Sequence, residues 1–335
     1  MKLLITGGLG FIGSNFIRLI LRKYPGYKVI NLDKMTYAGN PENLRDIESD
    51  SRYSFVKGDI CDEKLVNEVF YSEKPDAVLN FAAESHVDRS IFDAFSFVKT
   101  DVLGTQNLLS ASKLYDVPRY IQISTDEVYG SIEDGSFSEK SPLNPSSPYS
   151  ASKAAADMIV NSYFVTYKMP VLITRSSNNY GPNQYPEKVI PLFVTNLLEG
   201  KKVPLYGDGL NVRDWIYVLD NCEAIDLVLH KGKEGEIYNV GGECELPNIE
   251  LTKSLLKFLG KDESHIEYVK DRPGHDRRYS LNCDKIKKEF NWEPKFHFDY
   301  GIYLTADWYR ENEWWWRPLK SGEYLEYYKQ QYLNR

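Results

Sequence analysis

Two short runs carry the chemistry this chain is equipped for: Ser124-Thr125-Asp126-Glu127 and Tyr149-Ser150-Ala151-Ser152-Lys153. Tyr149 and Lys153 are four residues apart, so on a helix they share one face. A free phenol ionises near pH ~10, too high for a base at neutral pH, and a neighbouring ammonium favours the phenolate. Such a pair can take the proton of an alcohol while a hydride leaves to a nicotinamide. Lys153 can also hold the ribose hydroxyls of that cofactor, and Thr125 stands ready to hydrogen-bond the reacting oxygen. Asp126 and Glu127 go beyond what redox chemistry needs. Two carboxyl groups in different surroundings can hold different pKa values, one staying protonated as an acid while the other acts as a base. Elimination of water beside a carbonyl needs that division. The plainer reading of the pair is solvated loop charge or helix capping.

A cofactor site is expected at Thr6-Gly7-Gly8-Leu9-Gly10-Phe11-Ile12-Gly13, where Gly7, Gly10 and Gly13 form a spacing variant of the dinucleotide fingerprint between a strand and a helix. Glycine lets the chain turn tightly and the pyrophosphate approach the backbone, and the helix N-terminus supplies amide donors. Asp33 follows Gly13 by twenty residues at the end of the next strand. A carboxylate there accepts from ribose hydroxyls and repels a 2′-phosphate, which favours NAD over NADP. Asp59 and Ile60 could flank the adenine. Phe81, Ala82, Ala83 and Glu84 end a further strand, where small residues let a ligand approach. Glu84, Ser85 and His86 are read as ligand contacts, and Lys34, Thr36 and Thr100 join the cofactor set. No metal site is expected, since His86 has no ligating partner nearby.

The elements that must position these groups are legible as alternation. Strands are expected at Lys2–Thr6, Lys28–Asp33, Tyr53–Lys57, Ala77–Phe81, Arg119–Ser124 and Pro170–Arg175. Helices are expected at Phe11–Lys23, Asp62–Tyr71, Thr100–Tyr115 and Tyr149–Tyr167. This predicts an α/β fold, a Rossmann-like doubly wound parallel sheet. A polar loop from Ser136 to Pro148 is expected to frame the site. Past Asn178 the alternation becomes irregular, which predicts a smaller C-terminal α/β substrate domain. Residues 1–177 then mainly bind the cofactor and 178–335 mainly the substrate, interleaved with the sheet. Trp314-Trp315-Trp316 reads as packing of a terminal helix or as a ring-binding platform.

The chain has 335 residues and a net charge of −7. An acidic balance disfavours nucleic acid and anionic membranes as partners, so phosphate must be caught locally. No apolar run approaches the ~20 residues of a membrane helix. Four scattered cysteines without a C-x-x-C pair suit reduced thiols in a cytoplasmic protein.

Together these motifs resemble the extended short-chain dehydrogenase/reductase family, and within it the branch that dehydrates dTDP-linked glucose. The resemblance covers nearly the whole chain. It rests on Thr6–Gly13, Phe81–Ser90, Ser124–Gly130 and Tyr149–Lys153, then on Arg175–Pro182, Pro186–Pro191, Arg213–Tyr217 and Asp271–Tyr279. The Thr-Asp-Glu triplet is its most specific part. The resemblance implies C4 oxidation by NAD with Tyr149 as base, removal of the C5 proton by Glu127, and protonation of the leaving C6 hydroxyl by Asp126. Hydride return to C6 then regenerates NAD. It further implies that Asn178 contacts substrate and Asn179 the cofactor. Lys188, Val189, Pro204, Leu205 and Tyr206 surround the nucleotide, Arg213 and Arg272 carry the diphosphate, and Asn248 and His275 complete the pocket. It also implies a homodimer pairing the Thr100–Tyr115 and Tyr149–Tyr167 helices, whose apolar positions would equally fit burial on the sheet. Asp101 stands where the family more often has Asn and reads as a helix-start substitution of little consequence. Siblings acting on another UDP- or GDP-linked sugar, as 4,6-dehydratase, 4-epimerase or decarboxylase, compete with this reading. Of these an epimerase should lack the carboxylate pair. A non-catalytic NAD-binding sensor is opposed by the intact Tyr149, Lys153, Asp126 and Glu127.

Overall fold

The computed structural model describes residues 1–333. Twelve strands run in chain order: β1 Lys2–Thr6, β2 Lys28–Asp33, β3 Tyr53–Lys57, β4 Ala77–Asn80, β5 Tyr120–Thr125, β6 Val171–Ser176, β7 Asn178–Tyr180, β8 Val203–Tyr206, β9 Val212–Tyr217, β10 Ile237–Val240, β11 Glu245–Pro247 and β12 Ile266–Val269. Seven form one sheet in the order β10-β6-β5-β4-β1-β2-β3, and every pairing in it is parallel. Parallel sheets need cover on both faces, so their central strands are apolar almost throughout. β4, β5 and β6 are buried at every residue, whereas the edge strand β3 is largely exposed.

The two faces are packed by different helices. On one, Phe16, Ile17 and Ile20 of helix Phe11–Lys23 meet Ile225, Val228 and Leu229 of helix Val218–Lys231. On the other, Phe70, Leu108, Leu109 and Val160 come from helices Glu63–Glu73, Thr105–Leu114 and Pro148–Tyr167. The longest of these starts at a capping box: Ser147 accepts from the Ser150 N–H, Ser150 returns the bond, and Pro148 opens the first turn. The second half of the chain gives β10 and helix Val218–Lys231 to this layer. It also builds a three-stranded sheet β11-β9-β7 and the pair β12-β8, over a core that includes Tyr180, Phe193, Trp215 and Tyr309. Trp315 and Trp316 are buried in that core as helix packing, while Trp314 is exposed. Among the described residues no helix is long and apolar enough to cross a membrane.

The expected helix Thr100–Tyr115 begins differently. Val98–Gly104 is a π-helical turn that leads into an α-helix at Thr105. The Ser136–Pro148 loop contributes nothing to the lining of the clefts. Instead Phe137 bonds to Ser280 and Asn282, which ties the loop to the C-terminal region.

One buried ion pair braces the catalytic region. Arg175 Nε on β6 donates to Asp157 Oδ2 at 2.9 Å, with both side chains at most 4% exposed. Arg175 Nη1 also donates to Tyr129 OH, which donates to Asn239 Oδ1 on β10. Removing one partner of such a pair strands the other charge in the interior. Arg175→Met is therefore expected to cost about 3–5 kcal/mol, read as a lower urea midpoint at unchanged slope.

Candidate active site

The sheet order reverses between β1 and β4, and such a switch point opens a crevice at the strands' carboxyl ends. Here the turn after β1 is pressed against the end of β4. Gly7 has φ +69, and a Cβ there would lie 2.6 Å from the Ala82 amide nitrogen. A Cβ on Gly13 would lie 2.5 Å from the Gly7 carbonyl. The helix that follows is capped by Gly10 with no side-chain acceptor, so its first amides face the crevice unclaimed by a cap. Asp33 closes the far side: its Oδ2 accepts from the Leu9 amide and its Oδ1 from the Met35 amide. This is a cradle for a pyrophosphate and a ribose, and the residues fit a dinucleotide.

The crevice is lined by Gly7, Gly10, Phe11, Ile12, Gly13 and Asp33, then by Lys34, Thr36, Asp59, Ile60 and Thr100, and by Phe81, Ala82, Ala83, Glu84 and Ser85. Lys34 Nζ pairs with Asp59 Oδ2 at 2.8 Å. Thr125, Asp126, Glu127, Tyr149, Asn178, Asn179 and Lys188 complete its inner end. Lys153 is the exception in the predicted cofactor set. It is buried behind the wall, and its Nζ donates to the Ile123 carbonyl at 2.7 Å.

A second chamber adjoins the first and shares Glu127, Asn178, Glu187 and Lys188 with it. Its wall carries His86, Val189, Pro204, Leu205, Tyr206, Arg213, Asn248, Arg272 and His275. His86 is buried and packs edge-on against Tyr327, and burial lowers its pKa. Lys188 Nζ donates to the Ser85 carbonyl. The Nε of Arg272 and the Oδ1 atoms of Asn178 and Asn248 are buried without a protein partner. A bound polar ligand would satisfy them.

Glu127 sits where the chambers meet, with Asp126 beside it on the wall of the first. Thr125 ends β5 and caps the 3₁₀ turn Asp126–Tyr129, its Oγ1 accepting from the Glu127 amide at 3.2 Å. The turn brings both acids to the crevice, so capping and chemistry share one element. Their surroundings differ. Asp126 is 3% exposed, its Oδ2 has no partner, and burial with the charges of Glu127 and Asp214 pushes its pKa well up. Burial also raises Glu127, but Arg272, Lys188 and Arg213 oppose the rise. Both are raised, and Asp126, with like charges beside it, is raised the further, which suits Asp126 to give a proton and Glu127 to take one.

Tyr149 departs from expectation. Burial, with Glu127, Asp101 and Asp126 beside it, pushes its phenol well above the ordinary value, opposed by the Thr125 hydroxyl. Burial is the largest cause of this rise, with the acidic neighbours adding to it. Asp101 departs further: it is not a helix-start substitution but is buried in the π-helical turn against the site.

Several residues carry structure here that their sequence context did not reveal. Glu187 is 3% exposed and pairs with Arg89 at 2.8 Å. Asp88 accepts from Tyr206 OH and Arg272 Nη1. Tyr279 stacks under the Arg213 guanidinium at 4.2 Å, and its hydroxyl donates to Asp276 Oδ2 at 2.7 Å with Glu127 Oε2 3.5 Å away. Glu187 and Tyr279 lie inside the motif runs at 186–191 and 271–279, and that was the only signal available for them.

Comparison with known proteins matches residues 4–305 to the family model described as GDP-mannose 4,6 dehydratase. A dTDP-glucose 4,6-dehydratase of Streptomyces niveus is 50% identical over 327 residues, covering 96% of this chain and 97% of that protein. The crystal structure of DesIV, a dTDP-glucose 4,6-dehydratase of Streptomyces venezuelae with NAD and TYD bound, superposes with a TM-score of 0.94 at 53% identity, over 96% of this chain and 100% of that one. A UDP-glucose 4-epimerase of Thermotoga maritima shares the fold with a TM-score of 0.87 at 31% identity, over 93% of this chain and 100% of that one.

Proposed function

The chain belongs to the GDP-mannose 4,6 dehydratase family, and from that premise we propose that it is an NAD-dependent dTDP-glucose 4,6-dehydratase, a hydro-lyase that forms dTDP-4-keto-6-deoxyglucose. The observation that carries this reading is the Asp126–Glu127 turn at the junction of the two chambers. An oxidation and reduction at C4 alone would not need a second acid and base beside Tyr149.

NAD bound in the crevice supplies a hydride acceptor at C4, a hydride donor to C6 and a positive charge that favours the phenolate. The chain's own groups do the rest. Tyr149 takes the C4 hydroxyl proton, with Thr125 hydrogen-bonded to the same oxygen. The resulting ketone acidifies C5. Glu127 then removes the C5 proton, and Asp126 protonates the C6 hydroxyl as it departs as water. After hydride return, a proton is restored at C5. Lys153, anchored on the Ile123 carbonyl, holds its charge beside the phenol. Arg213 and Arg272 clamp the diphosphate, for which guanidinium forks are suited, while Lys188, Asn178, Asn248 and His275 orient the sugar and nucleotide. In this division residues 1–177 mainly serve the cofactor and 178–335 mainly the sugar nucleotide, in a soluble cytoplasmic enzyme.

The test is to incubate the purified protein with dTDP-glucose, UDP-glucose and GDP-mannose and assay for 4-keto-6-deoxy product. Turnover of dTDP-glucose is expected. Turnover of another member of the panel in its place would overturn the nucleotide assignment, and an epimerised product would overturn the reaction.

A homodimer is part of the proposal. Leu103 and Leu114 on one helical segment and Met158 and Val165 on its neighbour are 48–66% exposed. Phe95 and Val98, earlier on the same helical segment, are exposed as well, and clustered exposed apolar residues mark association surfaces. Met158→Glu with Val165→Glu is expected to convert a dimer to a monomer in analytical ultracentrifugation while leaving NAD bound.

A further inference from the structure

Asp101 is a buried, titratable group that the reaction sequence above leaves unused. It lies in the π-helical turn Val98–Gly104, a rare geometry that recurs at functional sites, and is 1% exposed. Both of its oxygens are engaged. Oδ1 accepts from the Glu84 amide, in the segment that lines the cofactor crevice, at 3.0 Å. Oδ2 accepts from Ser152 Oγ at 2.6 Å. Ser152 sits between Tyr149 and Lys153, and its Oγ also lies 2.8 Å from the Tyr149 carbonyl oxygen, so its one proton is shared between the two acceptors. The side chain therefore ties the end of β4 to the helical turn that carries the catalytic pair. Its electrostatic neighbours are Lys153 and Tyr149 from that helix and Glu84 from the β4 end, with Glu127 and Asp126 beyond the phenol.

We propose that Asp101 is a positioning residue whose negative charge, held through Ser152 on the helical turn of Tyr149 and Lys153, sets the pH at which the C4 oxidation begins. The proposal rests on Tyr149 acting as the base in the reading above. Burial pushes the Asp101 carboxyl up to about 6, with Lys153 and Ser152 opposing the rise. Above that pH it carries charge, and any ionised phenol must form against it. An Asn in its place would keep the shape. Its oxygen can accept from the Glu84 amide and its NH2 can donate to Ser152 Oγ, so only the charge would be lost.

The experiment is a phenolate absorbance titration of the NAD-loaded enzyme. The Tyr149 signal is isolated by subtracting Tyr149→Phe from wild type, and Asp101→Asn/Tyr149→Phe from Asp101→Asn. Removing one adjacent negative charge is expected to lower the midpoint by about one pH unit, with the melting curve of Asp101→Asn close to wild type. A second uncharged variant, Asp101→Ser, is expected to shift the midpoint in the same direction, although it cannot make both hydrogen bonds. Ser152→Ala, which removes a tie and keeps the charge, should move the midpoint far less. An unchanged midpoint in either soluble Asp101 variant, or a shift in Ser152→Ala as large as in Asp101→Asn, would overturn the proposal. The titration needs no sugar nucleotide, so it gives the same answer if the substrate assignment fails.

Discussion

Tyr149→Phe is expected to lower turnover of dTDP-glucose by about 10²–10⁴-fold, the usual worth of a positioned acid–base group, and to slow formation of reduced nicotinamide by the same factor. The reason is the place of Tyr149 in the sequence of steps. It takes the first proton, and every later step needs the ketone that this creates. The Thr125 hydroxyl and the Lys153 charge stay in the variant, but neither can accept the C4 proton. Phe preserves the ring packing, including the edge contact with Phe97, so the melting temperature should hold. Stopped-flow absorbance of the nicotinamide together with product assay checks both halves. A variant that still reduces NAD at the wild-type rate would remove Tyr149 from its role.

Glu127→Gln and Asp126→Asn should each slow product formation by about 10²–10⁴-fold, but with the opposite signature at the nicotinamide. Oxidation at C4 precedes the elimination, so reduced nicotinamide should still appear and then persist. Gln in place of Glu127 removes the base and leaves Arg272, Lys188 and Arg213 without the carboxylate they face. Asn in place of Asp126 removes the proton donor while keeping its volume. The pH dependence follows from the same surroundings. Falling pH protonates Glu127 and removes the base, while rising pH ionises Asp126 and removes the acid. The elimination rate is therefore bell-shaped, with the acid limb belonging to Glu127 and the alkaline limb to Asp126. Glu127→Gln should flatten the acid limb and Asp126→Asn the alkaline one. Wild-type product rates in either variant would return the pair to capping alone.

These effects also mark what was legible in the sequence. Local chemistry was: the strand, glycine turn and helix from β1 onward, the Tyr149–Lys153 spacing, and the Thr-Asp-Glu run each depend on neighbours within a few residues. What was hidden depends on pairs brought together across the chain. Asp88 meets Arg272 across 184 residues and Glu187 meets Arg89 across 98, and neither pairing leaves a trace in spacing. Asp101 was misread because an acidic residue at the start of a helical pattern resembles a cap. Only the π-helical turn and the closing of helix Pro148–Tyr167 over it make it a buried carboxyl. The Tyr149 phenol was misjudged for a related reason. The ammonium is visible at four residues' distance, whereas the burial that dominates the shift, and Glu127, Asp101 and Asp126, come from other elements.

The most direct measurement follows the hydride itself. dTDP-glucose carrying deuterium at C4 is turned over in ordinary water, and the product is read by NMR and mass spectrometry. One chain that oxidises, eliminates and reduces within a single cleft predicts that the deuterium moves to the C6 methyl group of the 4-keto-6-deoxy sugar. Deuterium released to solvent, or retained at C4 of an epimerised sugar, would contradict the account.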